Sequence, residues 1–139
     1  MVKQLSLFSQ PSLNVGKNFK EQLARSAKES RYSREELLDR INDLADRYGV
    51  RLVKGNGRGL TIATLEKWLN PEALDYMPSI NSLVIICAAL GDLEPMQEML
   101  APLGGILIDE NDMKLLLWAK EYHRAKDART KMRKLEMEL

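Results

Sequence analysis

Residues 61–71 read TIATLEKWLNP, and this short segment decides how the rest of the chain is interpreted. Ile62, Leu65 and Leu69 recur at intervals of three and four residues, so they share one face of a helix. The other positions are mostly small, polar or charged, and Pro71 ends the pattern because proline cannot continue a helix. The segment therefore predicts a short amphipathic helix with one buried face and one free face.

The segment before this helix is rich in glycine and basic residues, and reads VRLVKGNGRG at 50–59. Its GNGRG run has neither the spacing nor the terminal Lys-Ser/Thr of a nucleotide-binding loop. We interpret the segment as a basic loop or a small hairpin. Lys54 and Arg58 precede a helix N-terminus, where backbone amides also favour phosphate, so both are candidate contacts to a nucleic-acid backbone.

Two helices are predicted before the loop. Asn14 is the expected cap of the first, which continues to about residue 30. Ser33 and Glu36 have the spacing of a reciprocal capping box for the second, and Gly49 suits the left-handed residue that ends it. The apolar residues of the first helix share one face, and its other side is expected to expose four basic residues, Lys17, Lys20, Arg25 and Lys28.

The fourth predicted helix is the most apolar segment of the chain. It is expected to begin after Ser79, to end at Gly91 and to be surrounded by the other helices, because it contains Ile80, Leu83, Val84, Ile86, Cys87 and Leu90. Cys87 is therefore expected to pack as a small hydrophobic residue rather than to act as a nucleophile. A fifth, shorter helix is expected from Pro95.

A last helix is predicted after a short β-like run at 106–108, with Asp109 as its cap. Its first part is expected to pack on the domain through Trp118 and Tyr122, and its second part to need a partner chain. The apolar residues follow steps of three and four, with a one-residue shift between Ala125 and Ala128. The candidate dimerisation residues are Leu115, Trp118, Tyr122, Ala125, Met132 and Leu135.

The length of 139 residues predicts one domain with an appendage, and the near-balanced charge conceals an uneven distribution. No basic residue occurs between Trp68 and Asp112, whereas the segments on either side carry an excess of lysine and arginine. This pattern favours a positive face toward nucleic acid, with solvated charge of both signs as the alternative. No apolar run is long enough to cross a membrane and no signal peptide is apparent, so a cytoplasmic protein is expected.

The residue types do not favour catalysis. A lone histidine, His123, and a lone cysteine cannot supply a metal cluster, and the carboxylates show no spacing that isolates a catalytic pair. We therefore expect no enzyme activity, no cofactor and no metal site. His123 is expected to be an exposed residue of the last helix.

Three phrases together resemble a known family: SREELLDRI at the start of the second helix, TLEKWLNP at 64–71 and MPSINSLVIICAALGD at 77–92. They resemble the lambda-repressor-like helix-turn-helix domain of Cro and repressor proteins, especially regulators of temperate and Mu-like phages. The resemblance implies an all-α fold, with a five-helix domain over residues 14–104. A flexible tail at 1–13 would precede it, and a short extended segment with a long C-terminal helix would follow at 105–139.

The family resemblance implies a transcriptional regulator that binds double-stranded DNA as a homodimer, with the helix at 61–70 in the major groove. The expected DNA contacts on this helix are Thr61, Ile62, Ala63, Thr64 and Lys67. The chain departs from the family pattern in two ways. The connection at 49–60 is longer than the usual tight turn, which leaves the angle of the third helix open, and the glutamines that often read adenine are missing.

A second resemblance lies in the tail, where Gln4, Leu5, Ser6, Leu7 and Phe8 match the short peptide by which bacterial proteins dock into the replication sliding clamp. Another interpretation is that the apolar residues of this tail fold back on the domain. Together with the long loop and the extended last helix, the tail supports an alternative function. In that alternative the protein is a non-enzymatic interaction adaptor on a helix-turn-helix scaffold, with the sliding clamp as a possible partner.

Overall fold

The computed structural model describes residues 12–54 and 59–139, and within these ranges the chain is helical and contains no strand. The α-helices are α1 (Gly16–Glu29), α2 (Arg34–Tyr48), α3 (Ile62–Leu69), α4 (Ile80–Leu90), α5 (Glu94–Leu100) and α6 (Glu110–Met137), and a single 3₁₀ turn (Ala101–Leu103) follows α5. The β-like run at 106–108 is not a strand. The chain divides into two compact units after Ile106, so that α6 forms a unit of its own.

The core of the first unit is built by the apolar faces of its helices. α1 packs against α3 and α5, and α2 packs against α3 and α4. The prediction that Leu65, Trp68 and Leu69 of α3 belong to the core is confirmed, since each is at most 5% exposed. They are buried together with Phe19 and Leu23 of α1, Leu37 and Ile41 of α2, and Leu83 and Ile86 of α4.

Most of the predicted helix ends are confirmed. Ser33 and Glu36 form the reciprocal capping box, and Gly49 and Gly91 end α2 and α4 in the left-handed conformation. Ser79 caps α4 by accepting a hydrogen bond from the backbone N–H of Ser82. These helix ends can be predicted because the residue that caps or ends each helix is its immediate neighbour in the sequence.

The first and fifth helices begin elsewhere than predicted. Asn14 does not cap α1: its own N–H donates to the Ser12 hydroxyl at 3.0 Å, and Val15 is the residue that precedes the helix, without a side-chain cap. α5 begins at Glu94, so Pro95 is its second residue. Glu94 and Pro95 both lie in the first turn of α5, where the backbone N–H makes no intrahelical bond and proline is tolerated.

The expectation that α4 is surrounded on all sides is wrong. Ile80 is 80% exposed and Val84 is 54% exposed, although Leu83 and Ile86 on the opposite side are buried. An apolar composition alone could not distinguish the covered side from the free one. Cys87 is buried as predicted, and burial, with the charge of Asp92, raises the pKa of its thiol to about 11.

α6 is a 28-residue helix that begins after Asp109, whose side chain accepts from the backbone N–H of Asp112, as predicted. None of its residues is buried. Within this unit, the side chains of Trp118 and Tyr122 are 66% and 50% exposed, and their rings stack on each other with centroids 5.5 Å apart. His123 is exposed on this helix, as predicted. No helix within the described ranges is both long and apolar enough to span a bilayer.

Candidate nucleic-acid interface

The free face of α3 contains most of the residues that the sequence predicts as base contacts. Ile62, Ala63 and Lys67 are exposed on this face, while the core residues of α3 point to the opposite side. Glu66 is exposed between them and was not predicted as part of the site. The helical period alone gives Glu66 this place, since it lies four residues after Ile62 and three after Ala63.

Thr61 and Thr64 have a structural role at the start of α3. The Thr61 hydroxyl accepts a hydrogen bond from the backbone N–H of Thr64 at 3.3 Å and donates to the Thr64 hydroxyl at 3.1 Å. Capping of this kind satisfies one of the free amides at a helix N-terminus. Thr61 remains exposed and Thr64 is half-buried, so Thr61 is the better placed of the two to reach a phosphate.

The N-terminal end of α3 is attached to α2 through the side chain of Asn42. Leu60 donates its backbone N–H to Asn42 Oδ1 at 2.7 Å, and its carbonyl accepts from Asn42 Nδ2 at 3.0 Å. One amide side chain therefore satisfies both backbone groups of the residue that immediately precedes the cap of α3. Leu60 itself is 4% exposed and belongs to the core.

Gly59 is required by this attachment. Its φ is +86°, and a Cβ at this position would lie 2.6 Å from Asn42 Oδ1. Both the left-handed backbone and the close approach of the amide demand a residue without a side chain. The role of Gly59 in the basic loop is thus to allow the contact between Asn42 and Leu60, and this role does not involve phosphate.

The long connection between α2 and α3 is also attached at its first half. Leu52 is 6% exposed, and its carbonyl accepts a hydrogen bond from the Ser82 hydroxyl of α4 at 3.3 Å. With Leu60 attached to Asn42, both ends of the connection are held by the core. The two attachments therefore define the direction of α3 despite the long connection, whereas the sequence alone leaves this direction open. Lys54 is exposed near the first attachment, whereas Arg58 lies outside the described residues.

The C-terminal end of α3 is held by a buried cation. Lys20 of α1, which was expected to be exposed, has 0% exposure. Its ammonium donates to the carbonyls of Lys67 at 3.0 Å, Tyr76 at 2.8 Å and Ala73. An ammonium has three N–H donors, so all three are used. Burial lowers the pKa of Lys20, and the three carbonyl oxygens are the groups that offset this cost.

A positive charge at this position also suits the electrostatics of α3. The carbonyl of Lys67 belongs to the last turn of the helix, where the peptide dipoles present partial negative charge. A signal for Lys20 is present in the sequence: it precedes Leu23 by three residues and Ala27 by seven, which places it on the apolar face of α1. Lysine is usually exposed, so the prediction placed Lys20 in solvent although the helical period places it on the apolar face.

Two contacts restrain the charged side chains of the free face. The Lys67 ammonium lies 4.4 Å from the centroid of the Tyr76 ring, and Glu66 pairs with Arg34 of α2 at 3.3 Å. The ring contact orients Lys67 without neutralising it. Because Glu66 and Arg34 are paired at the surface, the attraction contributes little energy but brings the start of α2 beside the middle of α3.

The remaining predicted sites have separate outcomes. The clamp-like motif, residues 4–8, lies outside the described residues. The candidate dimerisation residues of α6 are all exposed, namely Leu115, Trp118, Tyr122, Ala125, Met132 and Leu135. In the parts of the chain that the structure describes, no three side chains of the metal-binding types come together.

Comparison of the chain with protein-family models, with curated proteins and with solved structures found no match. The functional assignment therefore depends on the geometry of the α3 face and on the sequence resemblance.

Proposed function

We propose that the protein is a sequence-specific, DNA-binding transcriptional regulator of phage or prophage type, with a lambda-repressor-like fold. In this proposal α2 and α3 form the helix-turn-helix, α3 enters the major groove, and the protein acts as a homodimer. The observation that carries the proposal is the free face of α3, which is attached to the core at both ends by Asn42 and Lys20. A helix that reads base edges needs such a defined position.

The residues of the α3 face have distinct chemical roles in this proposal. Lys67 donates to a guanine edge, while Ala63 and Ile62 meet the methyl group of thymine. Thr61 contacts phosphate at the helix N-terminus, with Thr64 beside it, where backbone amides favour anions. Lys54 and Arg58 contact the DNA backbone and supply affinity rather than sequence preference.

Glu66 adds a contact that sequence reasoning missed. A carboxylate in the major groove accepts a hydrogen bond from the exocyclic amine of cytosine. Glu66 is exposed in the middle of the face, and its partner Arg34 holds it at 3.3 Å. Near phosphates an unpaired carboxylate would be repelled, so the Arg34 partner reduces the cost of placing Glu66 in the groove.

Binding of the full chain to a site selected from a randomised duplex library tests this proposal. Lys67→Ala is expected to weaken binding to the selected site by about 1 to 3 kcal/mol for each half-site, because each copy of α3 loses one base contact. Lys120→Ala is the matched control, since Lys120 is an exposed lysine of α6 and lies outside the α3 face. Equal affinities of Lys67→Ala and the wild type would remove Lys67 from the base-reading residues. Failure to enrich any motif would contradict the proposal as a whole.

An interaction adaptor is the second candidate function. The exposed apolar side chains of Ile80 and Val84 on α4 favour a protein partner, because exposed apolar surface attracts protein. Here the sliding clamp would be a possible partner, through residues 4–8. Enrichment of no DNA motif, combined with binding of a peptide of residues 1–13 to purified clamp, would support the adaptor over the regulator.

A further inference from the structure

On one face of α6, the residues at equal distances on either side of Ala125 are complementary, since apolar residues match apolar ones and charged residues match residues of opposite charge. Glu121 and Arg129 lie four residues from Ala125 on either side, and Trp118 and Met132 lie seven residues from it. Lys114 and Glu136 lie eleven residues away. Steps of four, three and four keep all these residues on one face of a helix. We define this set as the α6 face: Lys114, Trp118, Glu121, Ala125, Arg129, Met132 and Glu136.

We infer that the α6 face binds the α6 face of a second copy in the antiparallel orientation, with the two-fold axis at Ala125. A two-fold axis there brings each residue beside the one at the same distance on the other side of Ala125. Trp118 then packs against Met132 of the second copy, Glu121 lies beside Arg129, and Lys114 lies beside Glu136. Each of these layers occurs twice in the dimer.

Charge complementarity selects the antiparallel orientation. In a parallel pair each residue would face its own copy, so Lys114, Glu121, Arg129 and Glu136 would form four layers of like charge. Like charges directly opposite each other destabilise a pair, whereas opposite charges at the edge of helix pairs set their orientation. In the antiparallel pair the same four residues form layers of opposite charge only.

The sizes of the apolar residues fit the same axis. Ala125 is small and meets its own copy at the centre, where the helices approach most closely. Tyr122, three residues to one side, is brought beside Ala128 of the second copy, so that a large ring packs against a small residue. Leu115 is likewise brought beside Leu135. Trp118 and Met132 are 66% and 59% exposed within one chain, so their burial would supply apolar area to the interface.

One contact within the helix is compatible with this arrangement. Glu121 accepts a hydrogen bond from Arg124 of the same helix at 2.7 Å, and both side chains remain exposed. A carboxylate has two oxygens and several acceptor positions, so Glu121 accepts from Arg124 and from Arg129 of the second copy together. The inference specifies the geometry of the proposed homodimer, and it does not depend on DNA binding.

Disulfide cross-linking of the full chain distinguishes the orientations. Ala125→Cys is expected to form a cross-linked dimer under mild oxidation, because this residue lies on the axis. Glu136→Cys is expected not to do so, since the two copies of residue 136 are separated by roughly 33 Å along the helix axis at 1.5 Å per residue. The wild type is the control for Cys87, whose burial and raised pKa of about 11 make it unreactive.

Charge reversal provides the second test. Glu121→Arg is expected to weaken the dimer by roughly tenfold in sedimentation, since two layers per dimer become like-charged. The double variant Glu121→Arg/Arg129→Glu is expected to restore it. Cross-linking of Glu136→Cys, or no restoration by the double variant, would overturn the antiparallel arrangement and leave the proposed homodimer in place. A monomeric full chain at all concentrations would overturn both, without bearing on whether α3 binds DNA.

Discussion

Lys20 holds the C-terminal end of α3. A buried ammonium is costly unless hydrogen bonds replace its hydration, and Lys20 has three such bonds, to the carbonyls of Lys67, Ala73 and Tyr76. These carbonyls belong to the end of α3 and to the segment that leads to α4. A single side chain from α1 thus joins the end of the candidate reading helix to the connection after it.

Replacement of Lys20 by methionine tests this role. Lys20→Met keeps a long side chain in the core but leaves three carbonyls without their donor, so the free energy of unfolding is expected to fall by about 3 kcal/mol. Urea denaturation followed by circular dichroism measures the change. Lys17→Met is the matched control, because Lys17 is exposed and forms a surface pair with Glu72 at 3.7 Å, whose loss costs less than about 1 kcal/mol. Equal stability of the two variants would show that the Lys20 contacts do not stabilise the fold.

At the scale of the element, α3 is too short to be stable alone. It has eight residues, and isolated helices below about 12 residues are marginal in water. Its structure therefore depends on the burial of Leu65, Trp68 and Leu69 and on the attachments at its ends. Asn42 at the N-terminal end and Lys20 at the C-terminal end come from different helices, so the direction of α3 is defined relative to both α1 and α2.

Gly59 gives a test of the N-terminal attachment. Gly59→Ala adds a Cβ that would lie 2.6 Å from Asn42 Oδ1, so the contact between Asn42 and Leu60 has to shift. Gly49→Ala is the matched control, since Gly49 also has a positive φ, of 66°, but has no atom within 4 Å of the added Cβ. Both variants share the left-handed cost of about 1 kcal/mol. Gly59→Ala is expected to lose roughly 1 to 2 kcal/mol more in thermal or urea unfolding. Equal losses would show that the Asn42 contact is dispensable.

The sequence predicts the elements of this fold better than their attachments. The extents of α2 and α4 and the apolar face of α3 follow from local caps and helical periods, which need only neighbouring residues. The contact partners of Lys20, Asn42 and Gly59 lie 17 to 56 residues away, so the local sequence does not identify them, although the helical period does place Lys20 on the apolar face of α1. The exposed side of α4 has the same explanation, because Ile80 resembles a core residue until its neighbours are known.

The sequence also predicts the candidate site only in part. The spacing predicts Ala63 and Lys67 on the free face of α3, and the structure puts them there. The same spacing groups Ile62 with Leu65 and Leu69, but Ile62 is 39% exposed and only the other two are buried. Glu66 was left out, although the same spacing includes it. What the spacing does not give is its partner, because Arg34 lies 32 residues earlier in the chain.

At the scale of the whole molecule, the two units serve the proposed function in different ways. The first unit carries the α3 face, and the second unit consists mainly of the exposed α6. Pairing of two chains through α6 would give one complex two α3 helices related by two-fold symmetry. A regulator of this kind binds a DNA site with the same symmetry. The antiparallel pairing adds a definite partner for α6, which has no buried residue within one chain.

The most direct test of the central claim, that the α3 face reads DNA sequence, is a change of specificity. Sites are selected from a randomised duplex library with the wild type, with Glu66→Gln and with Glu72→Gln, an exposed carboxylate outside α3. The wild type and Glu72→Gln are expected to select the same two-fold motif. Glu66→Gln is expected to select that motif with one base changed toward adenine in each half-site, because glutamine pairs with the adenine edge. A wild-type motif that Glu66→Gln leaves unaltered, or no motif for the wild type, would contradict the claim.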